Sequence, residues 1–369
     1  MKRQAKSEEK KELGNYFLKP SAVEFFSSGC IGLNLVLGGG WAVGRISNVV
    51  GDKSTAKTGH AIEAFANHKK KYPKGERHYI EAESAFDKPY AEKLGMPNDV
   101  NYPNDTKDKK KKINTVEALF EYLFDLTAKR SKEPTLVVVD SLDALDTSRD
   151  TLEKIDEGGF SGSRKAAAMS DMFRKLTAKI EASNIHLMII SQVRSKIGVT
   201  FGDKNGRSGG RALDFYASQV IYLSELRRRK ETKRTVEKVT GIDVRCKCKK
   251  NKVGLPYREF EYPIVFGYGI HDVLASMNWL YEVKMEKEFK VLNDTYERLV
   301  AEETAKKKEK EEKGIEYKGK RNAQLFDDAV DIVIEDVKSN KDLKRQLDET
   351  VKRLWQEIES EFLPKSSKY

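Results

Sequence analysis

Cysteine is almost missing from this chain, acidic residues are outnumbered, and no apolar run approaches the ~20 residues needed to span a bilayer. The three cysteines, Cys30, Cys246 and Cys248, are too few and too odd in number for a disulfide framework. Cys246 and Cys248 fall on one face of an expected strand, but no second Cys/His cluster completes a zinc site, so thiol-bound metal is not expected. The sequence begins Met1-Lys2-Arg3-Gln4 and runs into charged residues rather than an apolar signal region. The expectation is therefore a cytoplasmic protein with no membrane partner. Asp and Glu number 58 against 69 Lys and Arg, a formal net charge of +11. That balance favours a polyanionic partner, because clustered Lys and Arg release counterions from nucleic acid. An anionic membrane surface would suit the same charge. With 369 residues, 38% hydrophobic and 34% charged, the chain can bury one sizeable core and a smaller second one.

One stretch organises the rest. A short apolar run ending in Val49-Val50 meets Gly51-Asp52-Lys53-Ser54-Thr55-Ala56-Lys57-Thr58-Gly59, after which Ala61, Ile62 and Phe65 recur at helical spacing. The order is strand, phosphate loop, helix. Backbone N–H groups at such a helix start cradle phosphates, Lys57 neutralises the terminal ones, and the Thr58 hydroxyl takes a magnesium ion that bridges them. Ala56 departs from the pattern, adding a methyl group where glycine normally lets the backbone approach phosphate. Taken alone, a polar turn with a lysine would read the same way.

Residues 1–22 hold a mixed charge run, Lys6 to Lys11, then Tyr16-Phe17-Leu18 ahead of Pro20. This short piece suits either an edge strand donated to a neighbouring subunit or an ordinary packing strand. Ile31, Leu33, Leu35, Val36 and Leu37 suggest a short helix closed by Gly38-Gly39-Gly40, before a core strand from Ile46 to Val50. His78 to Glu83 reads as a second strand that delivers Glu83 to the sheet edge, where open parallel sheets place ligands. Asp87-Lys88-Pro89-Tyr90 starts a helix, the loop ending in Lys109 to Lys112 reads as solvated with DNA contact as the alternative, and Leu119, Leu123 and Leu126 stripe a helix from Val116 to about Lys129.

Leu136-Val137-Val138-Val139 indicates a strand covered on both faces. Asp140 at its end would be costly unless it met a cation, so it fits a magnesium-organising carboxylate. A Gly/Ser-rich segment, Glu157 to Lys165, precedes a helix from about Ala166 to Ala182, and the strand His186 to Ser191 ends at Gln192. Arg194 to Arg211 then forms a loop with five glycines. A loop of that length in a compact domain usually carries function. Its Arg194, Lys196, Arg207 and Arg211 suit a phosphate backbone, while Ile197, Val199 and Phe201 suit wedging between bases.

Three segments together resemble the RecA-type recombinases, from about Val23 to Gly269. They are Gln192 to Gly202 continued by Gly209 to Ser218, similar to the family's second DNA-binding loop and the strand after it; Glu81 to Gly95; and Lys249 to Pro256. The resemblance implies an α/β fold: a RecA-like P-loop NTPase core with a mostly parallel central sheet flanked by helices. It implies that Glu83 activates the attacking water, that Asp87 and Tyr90 flank the base, and that Asp140 with Ser141 completes the magnesium side. Gln192 would sense the γ-phosphate, and Lys250 and Lys252 would reach a neighbour's nucleotide, placing ATP and Mg2+ between subunits. The first DNA loop would be Asp156 to Lys165, bringing Arg164 and Lys165 to DNA with Arg174; Gly198, Gly209, Gly210 and Arg211 would belong to the second. The implied partners are single- and double-stranded DNA and further copies of the chain in a helical filament, acting in recombination and repair. A filament-forming, DNA-binding relative with weak or no hydrolysis is the alternative, favoured by Ala56; a hexameric helicase motor is disfavoured by the glycine-rich loop. The first loop lacks the family's apolar wedge, and the segment before Val23 is short.

The expected division is an N-terminal segment (1–22), a core (23–283) and a charged, mainly helical C-terminal domain (284–369). In the last, Leu343, Leu347, Val351, Leu354, Ile358 and Phe362 form an amphipathic stripe with Trp355 beside it.

Overall fold

The computed structural model describes residues 23–83, 86–108, 112–129, 131–148, 161–195, 205–207 and 210–364. Its elements, in chain order, open with β1 (Phe25–Phe26), α1 (Ile31–Leu37), β2 (Trp41–Ala42), β3 (Ile46–Gly51), α2 (Lys57–Lys71), β4 (Arg77–Glu81), α3 (Lys88–Lys93) and α4 (Val116–Ala128). They continue with β5 (Thr135–Asp140), α5 (Ser161–Ala182), β6 (Ile185–Ser195), β7 (Asn205–Arg207), α6 (Gly210–Tyr216), β8 (Gln219–Lys233), β9 (Val236–Asn251), β10 (Glu259–Val265) and β11 (Gly269–Ile270). The helices α7 (Asp272–Glu282), α8 (Lys290–Glu312), α9 (Asn322–Ser339) and α10 (Lys341–Glu361) close the chain. Helix α1 stops at Gly38, whose φ of 84° suits a residue without a side chain and whose N–H meets the Asn34 and Leu35 carbonyls.

The central sheet runs β11-β10-β9-β8-β3-β6-β5-β4, with β7 paired to β6. Strands β8, β3, β6, β5 and β4 are parallel; β9, β10 and β11 continue antiparallel. Parallel strands are joined by crossover helices on both faces, so their residues are apolar on both. In β5, Val138 packs with Val49, Ile190 and the Ala61 and Phe65 of α2. Its neighbours Val137 and Val139 point the other way, onto Leu119 and Leu123 of α4 and Phe173 and Leu176 of α5. That alternation fixes the register, since a one-residue slip would turn every side chain to the wrong helix layer.

A third core joins Met277 and Leu280 of α7 with Leu292 of α8, Val330 and Val333 of α9, and Leu347, Val351 and Leu354 of α10. Trp355 packs at a tilt against Trp279 and Phe260, and the Arg258 guanidinium meets the Glu359 carboxylate at 2.9 Å, so α10 is held against the sheet. The expected stripe of α10 ends early: Phe362 lies past the helix end and is 79% exposed. No described helix is long and apolar enough to cross a membrane. The three cysteines are free and buried.

Several boundaries differ from the sequence reading. The helix expected from Ala166 begins at Ser161, which puts Arg164 and Lys165 on α5 rather than in a loop; Met169, Met172 and Phe173 anchor that helix in the core and stabilise its first turn. Part of the loop expected from Arg194 to Arg211 is strand: β6 continues to Ser195 and pairs with β7, Arg194 opposite Gly206 and Val193 opposite Arg207. The residues read as a strand after it form α6 instead, because Leu213 and Ala217 bury one helical face against the α5 side of the sheet.

Candidate active site

The site is built at the carboxyl ends of the parallel strands, where β3 turns into α2. Gly51 ends β3 with no room for a side chain, since a Cβ there would lie 2.3 Å from Thr55 Oγ1. The turn folds on itself: Thr55 Oγ1 donates to the Asp52 carbonyl at 2.9 Å and Lys57 Nζ donates to the same oxygen at 2.6 Å. Ser54 and Ala56 take φ of 63° and 57°, a left-handed conformation that costs a non-glycine residue about 1–2 kcal/mol. Ala56 makes no side-chain cap to α2, so the first N–H groups of the helix are left for an anion.

Asp140, at the end of β5, faces the start of α2. Its Oδ2 accepts from Thr58 Oγ1 at 2.8 Å and from the Tyr79 hydroxyl at 2.8 Å. Burial holds the Asp140 carboxyl above its ordinary value; the Thr58 and Tyr79 hydrogen bonds pull it down, and the Glu83 charge pushes it up. Burial likewise holds the Lys57 ammonium below its ordinary value, against the pull of Asp140, Asp52 and Glu83. A hydroxyl and a carboxylate, both hard oxygen donors, suit Mg2+, which takes one or two protein ligands and completes its shell with water and phosphate. The half-buried Lys57, the Thr58 hydroxyl and the Asp140 carboxylate are thus residues that could hold a polyphosphate and its metal.

Strand β4 ends at Glu81, two residues short of the sequence expectation, so Glu83 sits in the loop beyond it, exposed to the cleft. Its carboxylate accepts from the Ser141 hydroxyl and, at 3.0 Å, from Gln192 Nε2. The Gln192 N–H donates to Asp143 Oδ2 at 2.9 Å, and the Asp143 carbonyl accepts from Lys165 Nζ at 2.8 Å. A continuous set of contacts therefore runs from Glu83 through Gln192 and Asp143 to α5.

A cleft of ≈ 750 Å³ opens between Ser54, Ala56, Thr58, Gly59 and Asp140 on one side and Asp87 and Tyr90 on the other. Asp87 Oδ1 accepts the Tyr90 N–H at 3.0 Å and caps α3. The structure thus gathers Gly51 to Gly59, Glu83, Asp87, Tyr90, Asp140 and Gln192. It does not gather Lys250 and Lys252 with them. Both ammonium groups lie at the C-terminal end of α6, where the Phe215 carbonyl accepts from Lys250 Nζ at 2.8 Å and from Lys252 Nζ at 3.2 Å.

The expected nucleic-acid residues fall in three groups. Arg174 is exposed on α5, ion-paired with Asp171. Arg194 and Arg207 lie on the β6–β7 ribbon and Gly210 and Arg211 open α6. Lys196, Ile197, Gly198, Val199, Phe201 and Gly209 lie outside the described residues, as does Tyr16-Phe17-Leu18.

The family model for the RecA N-terminal domain matches residues 9–271. The chain belongs to the RecA family. It is 38% identical over 255 residues to Protein RecA of Paracoccus denitrificans, a match covering 68% of this chain and 66% of that protein. It is also 38% identical over 254 residues to Protein RecA of Porphyromonas gingivalis (67% and 68% covered) and 37% identical over 251 residues to that of Prochlorococcus marinus (67% and 61%). The match spans about two thirds of these relatives' own length.

Sequence reasoning missed two residues of this RecA-family cleft. Tyr79 reads as an ordinary strand residue, and only its period-two alternation with Glu81 hints that it faces the site. Phe266 lines the cleft 55% exposed; the signal available was a large apolar residue beside Gly267 and Gly269, which both take positive φ.

Proposed function

We propose that this RecA-family chain is an ATP-dependent DNA recombinase that forms filaments on single-stranded DNA and promotes pairing and strand exchange with homologous duplex. The observation that carries the reading is the contact between Glu83 and Gln192. It joins a candidate general base at the nucleotide cleft to the strand that leads directly into the β6–β7 ribbon and the basic, glycine-rich loop.

In this reading Lys57 and the N–H groups opening α2 hold the triphosphate, and Asp87, Tyr90 and Phe266 flank the base. A magnesium ion held by Thr58 and Asp140 would neutralise charge on the phosphate oxygens. Glu83 orients a water and accepts its proton. Gln192, released from Glu83, turns its amide to the terminal phosphate and shifts the ribbon that carries Arg194 and Arg207. Lys250 and Lys252, on a face away from their own cleft, serve the nucleotide of a neighbouring subunit, where two cations stabilise charge developing on the transferred phosphoryl group. DNA is held by Arg164, Lys165, Arg174 and the residues from Arg194 to Arg211. Residues 284–369 form a charged helical domain on the outside of this assembly, and the site of action is the cytoplasm.

The left-handed Ala56 favours a second reading, a DNA-bound filament with little turnover. Lys57→Ala and Glu83→Gln separate the two. On the recombinase reading, Lys57→Ala loses ATP binding and strand exchange together, whereas Glu83→Gln keeps binding and lowers hydrolysis by about 100-fold or more. Unchanged DNA-stimulated hydrolysis in either variant would rule out the assignment of the site. Hydrolysis in the parent chain that is already as low as in Glu83→Gln would favour the second reading.

A further inference from the structure

Helix α2 buries Ala61, Ala64 and Phe65, and among these apolar neighbours His60 is also buried, 1% exposed. Its ring makes two directed contacts. Nδ1 lies 2.8 Å from the Ala56 carbonyl oxygen, and Nε2 lies 2.5 Å from the Tyr262 hydroxyl. A carbonyl can only accept, so Nδ1 carries the proton and donates to Ala56, and the Tyr262 hydroxyl donates to Nε2. The Ala56 carbonyl also accepts the His60 backbone N–H at 3.1 Å. Two donors from one residue therefore grip the carbonyl of Ala56, the left-handed loop residue that stands directly before Lys57.

Tyr262 supplies the anchor. It sits on β10, fully buried, and pairs with Val244 of β9 across the antiparallel part of the sheet. The brace thus runs from a rigid strand, through an imidazole, to the peptide that precedes Lys57. Rotation of that peptide would swing the Lys57 N–H away from the phosphate position and free Ala56 to relax toward the right-handed region, which alanine prefers.

We propose that His60, braced by Tyr262, is a positioning residue that holds the Ala56 peptide in its left-handed turn and so keeps the phosphate loop in its anion-binding shape. It performs for alanine what glycine does without help. The inference rests on the nucleotide-binding reading above and adds to it a structural requirement specific to Ala56.

A double-mutant cycle on the full chain tests it, with Mg·ATP binding read by displacement of a fluorescent ATP analogue. His60→Leu weakens Mg·ATP about tenfold and Tyr262→Phe about threefold while Ala56 is present. With Ala56→Gly in the background, the His60→Leu loss shrinks to about twofold, because glycine holds the left-handed turn unaided. His60→Gln, whose amide can still donate to the Ala56 carbonyl, stays within about threefold of the parent. Tyr262→Phe, which removes one oxygen, provides the same cycle if His60→Leu fails to fold. Equal losses in the alanine and glycine backgrounds would overturn this inference alone, whereas a parent chain that binds no Mg·ATP would overturn it together with the nucleotide reading.

Discussion

Replacing Ala56 by glycine removes one methyl group from a residue held at φ 57° and ψ 35°. In that region alanine is disfavoured by about 1–2 kcal/mol, a cost glycine escapes. Glycine's greater freedom in the unfolded chain takes back roughly 0.5–1 kcal/mol. The methyl also packs at the edge of the core beneath α2, and its loss costs a few tenths of a kcal/mol. The balance is a gain of about 0.5 kcal/mol, a rise in midpoint of about 1 °C for a chain of this size. Mg·ATP affinity changes by less than about twofold, since the loop shape is the same with either residue while His60 is in place. Urea unfolding followed by circular dichroism, with m held constant, reads the stability term. If Ala56→Gly instead loses about 1 kcal/mol, as it would at a right-handed helical position, Ala56 is not left-handed and the strain argument fails.

Tyr79→Phe removes one of the two donors to Asp140 Oδ2; it weakens Mg·ATP by about fivefold and binding of metal-free ATP by less than twofold, a split that titrations with and without EDTA would read. His186, fully buried, donates to the Ala42 carbonyl, and burial pulls its pKa down from 6.5 to about 4. The folded state therefore resists protonation that the unfolded chain accepts. This contribution is complete above pH 6.5 and is withdrawn, by roughly 3 kcal/mol, as pH falls to about 4. Unfolding curves from pH 7.5 to 4.5 should flatten in His186→Gln relative to the parent; parallel curves would show that this histidine is not the source.

Much of the site was legible because each part has a local signature. The run Ile46 to Val50 followed by Gly51 to Thr58 reads as strand and phosphate loop, and four apolar residues ending in Asp140 read as a buried strand that delivers a carboxylate. Glu83 and Gln192 were readable as ends of strands, but their contact with each other depends on β4 and β6 flanking β5, which spacing does not show. Boundaries set by tertiary packing were misread. Ser161-Gly162-Ser163 has poor helix propensity, yet the residues after it anchor α5 firmly enough to extend it. Gly209 to Ser218 reads as the end of a loop and the strand after it, yet Leu213 and Ala217 draw the residues from Gly210 into α6. Tyr79 and His60 do not stand out in the sequence because each looks like ordinary strand or helix filling, and their hydrogen-bond partners, Asp140 and Ala56 with Tyr262, give them meaning.

In the proposed function Glu83 and Gln192 link nucleotide turnover to the loop that grips DNA. That link is tested most directly by ATP hydrolysis measured against increasing single-stranded DNA, in the parent and in Gln192→Ala. The expected rate climbs by about tenfold or more and saturates with DNA in the parent, with the DNA response lost but ATP binding retained in the variant. A rate indifferent to DNA in the parent, or a DNA response that survives in Gln192→Ala, would contradict it.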